Sequence, residues 1–142
     1  MSNNPTHSQS WTWLFTAWLI AAVATLASLF FSEVMKLTPC VLCWYQRIFM
    51  FPLAIILLIG LMPLDTRVVR YALPLTLLGL FFTVYHLLLF YGFIPENLRP
   101  CDKTLSCADA SMVLFNVVPI PLLSLAAFSA IAVLLLKIRK HP

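Results

Sequence analysis

The sequence predicts an all-α membrane protein, an integral four-helix bundle, from its composition, from four long apolar runs and from the short segments between them. Of its 142 residues, 62% are hydrophobic and only 10% are charged, whereas a soluble domain is about half apolar and a quarter charged. Each run reaches the roughly 20 residues that a helix needs to cross a hydrocarbon core about 30 Å thick. We therefore predict a single membrane domain over 1–142, with spans at about 11–31, 44–62, 68–93 and 112–136.

Local signals place each span in turn. The first has too long an apolar core for a signal peptide, and no lysine or arginine precedes it in "MSNNPTHSQS", so we expect it to remain as an anchor. The second follows the segment "TPCVLC", and Pro63 and Asp65 mark the turn into the third. In the fourth, the prolines of "VPIPLL" predict a kink near its outer third.

The basic residues predict which way the bundle faces, because lysine and arginine near helix ends are retained on the cytoplasmic side. One side would carry five of them and the other three, with Arg47 just inside a helix end. Both termini are thus predicted to be cytoplasmic, and the loops at about 32–43 and 94–111 extracytoplasmic. The net charge of +4 is then a topology signal, and it gives no basic patch of the kind that binds nucleic acid. The larger set is Arg67, Arg70, Lys137, Arg139 and Lys140, and the smaller is Lys36, Arg99 and Lys103.

All four cysteines fall on the predicted outer side, as two local pairs: Cys40 with Cys43, and Cys101 with Cys107. Filler cysteines would be scattered among the apolar spans, and an outer face is where disulfides persist. Paired cysteines can also ligate zinc or an iron–sulfur cluster, but the second spacing is unusual and an oxidising face disfavours thiolate ligands, so we predict no metal. Structural disulfides closing such short loops would add only about 2 kcal/mol each. Redox-active pairs are the favoured interpretation.

Two polar residues close to the first pair support redox chemistry. If the second span begins near Cys40, then Cys40, Cys43 and Arg47 share one helix face. The helix N-terminus and the arginine charge both favour a thiolate, although an arginine at this depth could also snorkel to the headgroups. His86 in the third span could lie at a similar depth, where it would either help to hold a carbonyl-bearing acceptor or bond to a neighbouring helix.

At this point the residues resemble a known family. "PCVLCWYQR" followed by an apolar helix, four spans, and a second cysteine pair in the last outer loop look like the DsbB-type disulfide-bond formation proteins. "CDKTLSC" and "CWYQRIF" are closer to the BdbC-like, Gram-positive branch. The resemblance implies an enzyme that reoxidises an extracytoplasmic thioredoxin-like thiol oxidase of the DsbA/BdbD type and passes electrons to a membrane quinone, menaquinone or ubiquinone. It would act in the bacterial cell membrane.

Site residues follow from the same resemblance. Cys101 and Cys107 would meet the partner, Cys40 and Cys43 would face the quinone with Cys43 in contact with it, and Arg47 and His86 would belong to the quinone site. The sequence departs from the family pattern at Gln46, where other members have an acidic residue, and at Phe90, where they have a glutamine. Two alternatives stay open: a vitamin K epoxide reductase-like enzyme, and a membrane scaffold with structural disulfides.

Overall fold

A computed structural model of the chain describes residues 5–98, 113–114 and 117–141. It has four long helices: α1 (Pro5–Glu33), α2 (Val41–Leu61), α3 (Val69–Phe90) and α4 (Ile120–Lys140). Short 3₁₀ turns cover Thr66–Val68 and Glu96–Leu98, and β1 (Val113–Leu114) pairs antiparallel with β2 (Val118–Pro119). All four helices are long and apolar enough to cross a membrane. The predicted all-α membrane architecture is confirmed.

Each helix packs on two neighbours, so that α1, α2, α3 and α4 close a ring in chain order. The helices alternate in direction, and at one end of the bundle the Ser10 hydroxyl donates to the His141 carbonyl oxygen at 3.3 Å. The two described chain ends therefore lie together. The opposite end carries the α1–α2 connection with Cys40 and Cys43, which we call the thiol end. Which side of the membrane each end faces remains a prediction.

The apolar residues fall into two buried clusters. The larger contains small residues of α1, such as Ala17 and Ala21, packed with leucines of α2 and with Phe128 of α4. The smaller lies at the thiol end and contains Cys40, Leu42 and Leu89. Many other large apolar side chains are exposed on all four helices, as expected for a surface that faces lipid. The thiol pair therefore packs in the smaller cluster, separate from the main core.

The fourth helix differs from its prediction. It begins at Ile120, with Pro119 as its N-cap and Pro121 in its first turn, whereas the sequence predicted a span from about 112. Proline is tolerated in the first turn, where its missing N–H has no helical partner, and it disrupts a helix interior. The predicted kink is therefore wrong, because "VPIPLL" starts the helix instead of bending it.

Candidate functional site

Cys40 and Cys43 lie at the N-terminus of α2. Cys40 is the N-cap residue, and its sulfur accepts a hydrogen bond from the Cys43 backbone N–H at 3.4 Å. Both thiols are free, with their sulfur atoms 3.2 Å apart. Cys40 is buried and Cys43 is half-buried. The predicted helix start near Cys40 is confirmed, and it places the pair at the positive end of the helix dipole.

Behind Cys40 lies a buried polar chain that crosses from α2 to α3. The His86 Nε2 atom is 3.7 Å from the Cys40 sulfur, and its Nδ1 atom is 3.1 Å from the Gln46 side-chain nitrogen. His86 is fully buried and Gln46 is 7% exposed. The ring is therefore held between a thiol and an amide, away from solvent.

Arg47 points to the other side of the pair. Its Nε donates to the Ser28 hydroxyl and its Nη2 to the Ser28 carbonyl oxygen, both at 2.7 Å. Its Cζ lies 5.3 Å from the centre of the Trp44 ring, within the range of a cation–π contact. The contacts with Ser28 use two of the five N–H groups that a guanidinium carries. Arg47 is thus fixed by α1, and donors remain for a ligand.

A cleft of about 800 Å³ opens between α1, α2 and α4 beside the thiols. This is within the range of about 300–1,000 Å³ that is usual for small-molecule sites. Its walls are mainly aliphatic, and His86 is absent from its lining. The polar residues in its lining are Ser28, Ser32, Lys36, Thr38, Cys40, Cys43, Gln46, Arg47 and Ser124. An apolar molecule with a polar head would fit this arrangement.

The environment of Cys40, one residue before the membrane-spanning segment Val41–Leu61, favours its anion. Its hydrogen bond with the Cys43 sulfur lowers the pKa of the Cys40 thiol well below its ordinary value of 9.0. Burial acts in the opposite direction, and the contact with His86 lowers the pKa further. A sulfur that is readily anionic is a good leaving group in thiol–disulfide exchange.

The donor atoms of Cys40, Cys43 and His86 lie within 4.8 Å of one another, as in a metal site. A disulfide between the two cysteines would remove both thiolate ligands, which zinc requires in deprotonated form. If the pair cycles through a disulfide, as the sequence predicts, it does not fit a resident metal.

The structure separates the predicted site residues into groups. Cys40, Cys43 and Arg47 come together at the cleft, whereas His86 contacts Cys40 from the opposite side. Cys101 and Cys107 lie outside the described residues. Sequence reasoning missed the contacts of Gln46 and Ser28. Gln46 could have been found from its position three residues after Cys43, on the same helix face, but nothing in the sequence showed which helix Arg47 would face.

Comparison with known proteins identifies the family. The model of the family "Disulfide bond formation protein DsbB" matches residues 9–138. A "Probable disulfide formation protein" of Metapseudomonas resinovorans is 50% identical over 140 residues, which cover 97% of each chain. "Probable disulfide formation protein C 2" of Bacillus cereus (strain ATCC 10987) is 45% identical over 119 residues, covering 84% of this chain and 85% of the relative.

"Disulfide bond formation protein C" of Bacillus subtilis (strain 168) is 41% identical over 122 residues, covering 84% of this chain and 87% of the relative. No solved structure matches the chain at a significant level. The four membrane-spanning helices with a CxxC pair at a helix N-terminus define a multi-pass membrane protein of disulfide formation. The chain belongs to the DsbB family, as the resemblance of its motifs indicated.

Proposed function

We propose that this protein is a quinone-dependent disulfide oxidoreductase. A thioredoxin-like thiol oxidase on the outer side of the membrane would deliver electrons to Cys101 and Cys107. These would reduce Cys40 and Cys43, and the electrons would leave through Cys43 to a membrane quinone, menaquinone or ubiquinone. The observation that carries this proposal is the cleft, because Cys43 and Arg47 line it together.

The chemical character of the cleft fits a quinone better than a hydrophilic acceptor. Its aliphatic walls suit a prenyl tail, and the Arg47 guanidinium, held by Ser28 at 2.7 Å, can donate to a carbonyl oxygen. A bound quinone would supply an acceptor for two electrons and two protons as the dithiol becomes a disulfide. The residues of the chain would orient the ring, present the Cys43 sulfur and exclude water.

Each electron transfer among the cysteines would be a thiol–disulfide exchange. A thiolate attacks one sulfur of a disulfide, the other sulfur leaves as an anion, and a second attack resolves the mixed disulfide. The partner would be oxidised as the Cys101–Cys107 disulfide is reduced, and this dithiol would then reduce the Cys40–Cys43 disulfide. The family match favours this route over a vitamin K epoxide reductase-like enzyme or a scaffold.

The relay needs the thiol end to face outward, which is the orientation that the basic residues predict. Arg67, Arg70 and Arg139 line a second cleft of about 470 Å³, formed by the start of α3 and the end of α4. This is the end away from Cys40 and Cys43, and an arginine-rich end is typical of the cytoplasmic side. We therefore propose that both termini are cytoplasmic. Thiol labelling of intact cells with a membrane-impermeant reagent should reach Cys101 or Cys107 after reduction.

The function is tested by replacing the sulfur that meets the acceptor. Cys43→Ser should abolish quinone reduction by a reduced thioredoxin-like donor, measured with purified protein from the quinone absorbance. In this variant the lone Cys40 thiolate can still attack the Cys101–Cys107 disulfide, and the other cysteine of that pair leaves as a thiolate. A disulfide between Cys40 and Cys101 or Cys107 should therefore accumulate. Quinone turnover at the unmodified rate in this variant would refute the relay. Parallel assays with menaquinone and ubiquinone analogues would identify the acceptor.

A further inference from the structure

Gln46, His86 and Cys40 form a hydrogen-bonded chain that the cleft does not explain. His86 is fully buried and is not part of the cleft lining. Its two ring nitrogens are both engaged, Nδ1 by the Gln46 side-chain nitrogen at 3.1 Å and Nε2 by the Cys40 sulfur at 3.7 Å. Its position predicts an action on the thiol pair, not on a molecule in the cleft.

The orientation of the Gln46 amide, whose nitrogen faces His86, determines where the proton of His86 lies. A neutral imidazole has one N–H donor and one acceptor nitrogen. The Gln46 amide nitrogen is a donor, so the Nδ1 that faces it must be the acceptor. The ring proton is then on Nε2, which faces the Cys40 sulfur. A carboxylate at this position could only accept, and it would draw the proton to Nδ1.

We propose that Gln46 holds His86 as the neutral tautomer protonated at Nε2, and that this N–H donates to the Cys40 sulfur and stabilises its anion. His86 is then a catalytic residue because it touches a reacting sulfur, and Gln46 is a positioning residue. The inference rests on the proposed function, in which Cys40 and Cys43 are a redox-active pair. It assigns His86 to Cys40 instead of to the quinone.

The step that this contact serves is the release of Cys40. When a dithiol attacks the Cys40–Cys43 disulfide at Cys40, Cys43 leaves as an anion and Cys40 enters a mixed disulfide. The second thiolate of the attacking pair then forms that pair's own disulfide and displaces Cys40 as an anion. The attacking pair loses two electrons and its thiol protons go to water. The sulfurs of Cys40 and Cys43 gain the two electrons. The proton on His86 stays on Nε2 throughout and supplies the hydrogen bond.

Other charged or titratable side chains lie near the hydrogen-bonded residues Gln46, His86 and Cys40. They must be the same in every variant that is compared. Among the described residues these are Cys43 and Arg47 on α2, Tyr85 on α3 and Lys36 in the α1–α2 connection. The parts of α1 and α4 that line the cleft carry no ionisable side chain. Cys43 is the nearest of the titratable groups, with its sulfur 3.2 Å from that of Cys40. Its replacement by serine removes the competing titration.

The direct test is nuclear magnetic resonance on a protein with one histidine and one cysteine. The changes His7→Gln and His141→Gln leave His86, and Cys43→Ser, Cys101→Ala and Cys107→Ala leave Cys40. With ¹⁵N-labelled histidine, we expect an unprotonated Nδ1 and a protonated Nε2 at neutral pH. A protonated Nδ1, whether in the other neutral tautomer or in the imidazolium, overturns the proposal. This measurement leaves Gln46, His86 and Cys40 unaltered, so it does not depend on whether variants at these positions fold.

Substitutions at residue 46, made in the same protein with one histidine and one cysteine, then test its positioning role. Gln46→Glu should move a proton to Nδ1, and an unchanged ¹⁵N signature in that variant shows that Gln46 does not set the tautomer. With ¹³Cβ-labelled cysteine, His86→Leu should raise the pH midpoint of Cys40 ionisation by about one unit, the size expected for one hydrogen bond to a charged group. An unmoved midpoint contradicts the donor role.

A double-mutant comparison separates an action through His86 from a general structural effect. Gln46→Met removes the amide at similar volume, and its shift of the Cys40 midpoint should vanish in the His86→Leu background. Equal shifts in both backgrounds would mean that Gln46 acts directly or through the fold. None of these measurements uses a quinone or a partner protein, so a failure of the inference is distinguishable from a failure of the proposed function.

Discussion

The two sides of the thiol pair are built in different ways. On the cleft side, Arg47 is tied to the backbone and side chain of Ser28 in α1, next to a space of about 800 Å³. On the packed side, His86 is fully buried and is held by Gln46, which itself lies between His86 and the cleft and is part of the cleft lining. An open side suits a molecule that enters and leaves, while a closed side suits a group that must keep its orientation. The comparison predicts that substitutions on the two sides affect different kinetic constants.

The largest effect on the cleft side is expected from Arg47→Met, which removes the guanidinium and keeps an unbranched side chain. If Arg47 holds the acceptor, the loss of a hydrogen bond to a charged group should raise the KM for quinone by about 10- to 100-fold. Steady-state kinetics with varied quinone would measure it. Arg70→Met, at the far end of the bundle, is the matched control and should be neutral. An unchanged KM in Arg47→Met would remove Arg47 from the quinone site.

The opposite pattern is expected from His86→Leu. Because His86 contacts Cys40 and does not line the cleft, kcat should fall about tenfold through loss of one hydrogen bond to a sulfur anion, with little change in the KM for quinone. The control is Thr83→Val, which removes a buried hydroxyl bonded to the Gly79 carbonyl oxygen one turn earlier. A rise in KM with kcat unaltered would place His86 with the acceptor, as the resemblance implied.

Enlarging a side chain should also distinguish the two sides. A Cβ added at Gly79 of α3 would collide with the Phe128 ring of α4, so Gly79→Leu should lower the stability by about 1–3 kcal/mol or more. Ala27→Leu, on the wall of the cleft, should leave stability almost unchanged and obstruct quinone binding. Thermal unfolding in detergent, with quinone kinetics beside it, measures both. Equal destabilisation by the two variants would show that the cleft is not open space.

The smallest effect is expected from Ser28→Ala. This change removes the hydroxyl that accepts from Arg47 Nε and leaves the Ser28 carbonyl oxygen that accepts from Nη2. Loss of this neutral acceptor from the charged guanidinium should weaken quinone binding by about 1 kcal/mol. The KM for quinone should therefore rise roughly fivefold. Ser129→Ala, on α4 outside the cleft lining, provides the comparison. A kcat effect without a KM effect would mean that Ser28 supports the thiol pair instead of Arg47.

Much of the site could be predicted from the sequence because its signals are local. The start of α2 at Cys40 follows from a proline and a CxxC pair before an apolar run, and the helix geometry then fixes the spacing of Cys43 and Arg47. The start of α4 was mispredicted because hydropathy continues through the "VPIPLL" segment, whereas proline chemistry places the helix start within it at Ile120. Apolar character alone does not determine where a helix begins.

The sequence by itself determined the four membrane-spanning helices, the family and the pairing of thiols with a nearby arginine, since composition and short-range spacing carry that information. The tertiary structure decided which neighbour each polar residue meets. The sequence allows Arg47 and His86 to share one site, yet helix packing directs the first to Ser28 in α1 and the second to Cys40 and Gln46. The reason is physical. A side chain's contacts across a bundle depend on the rotation of each helix about its axis, and that rotation is set by the packing of all the helices together.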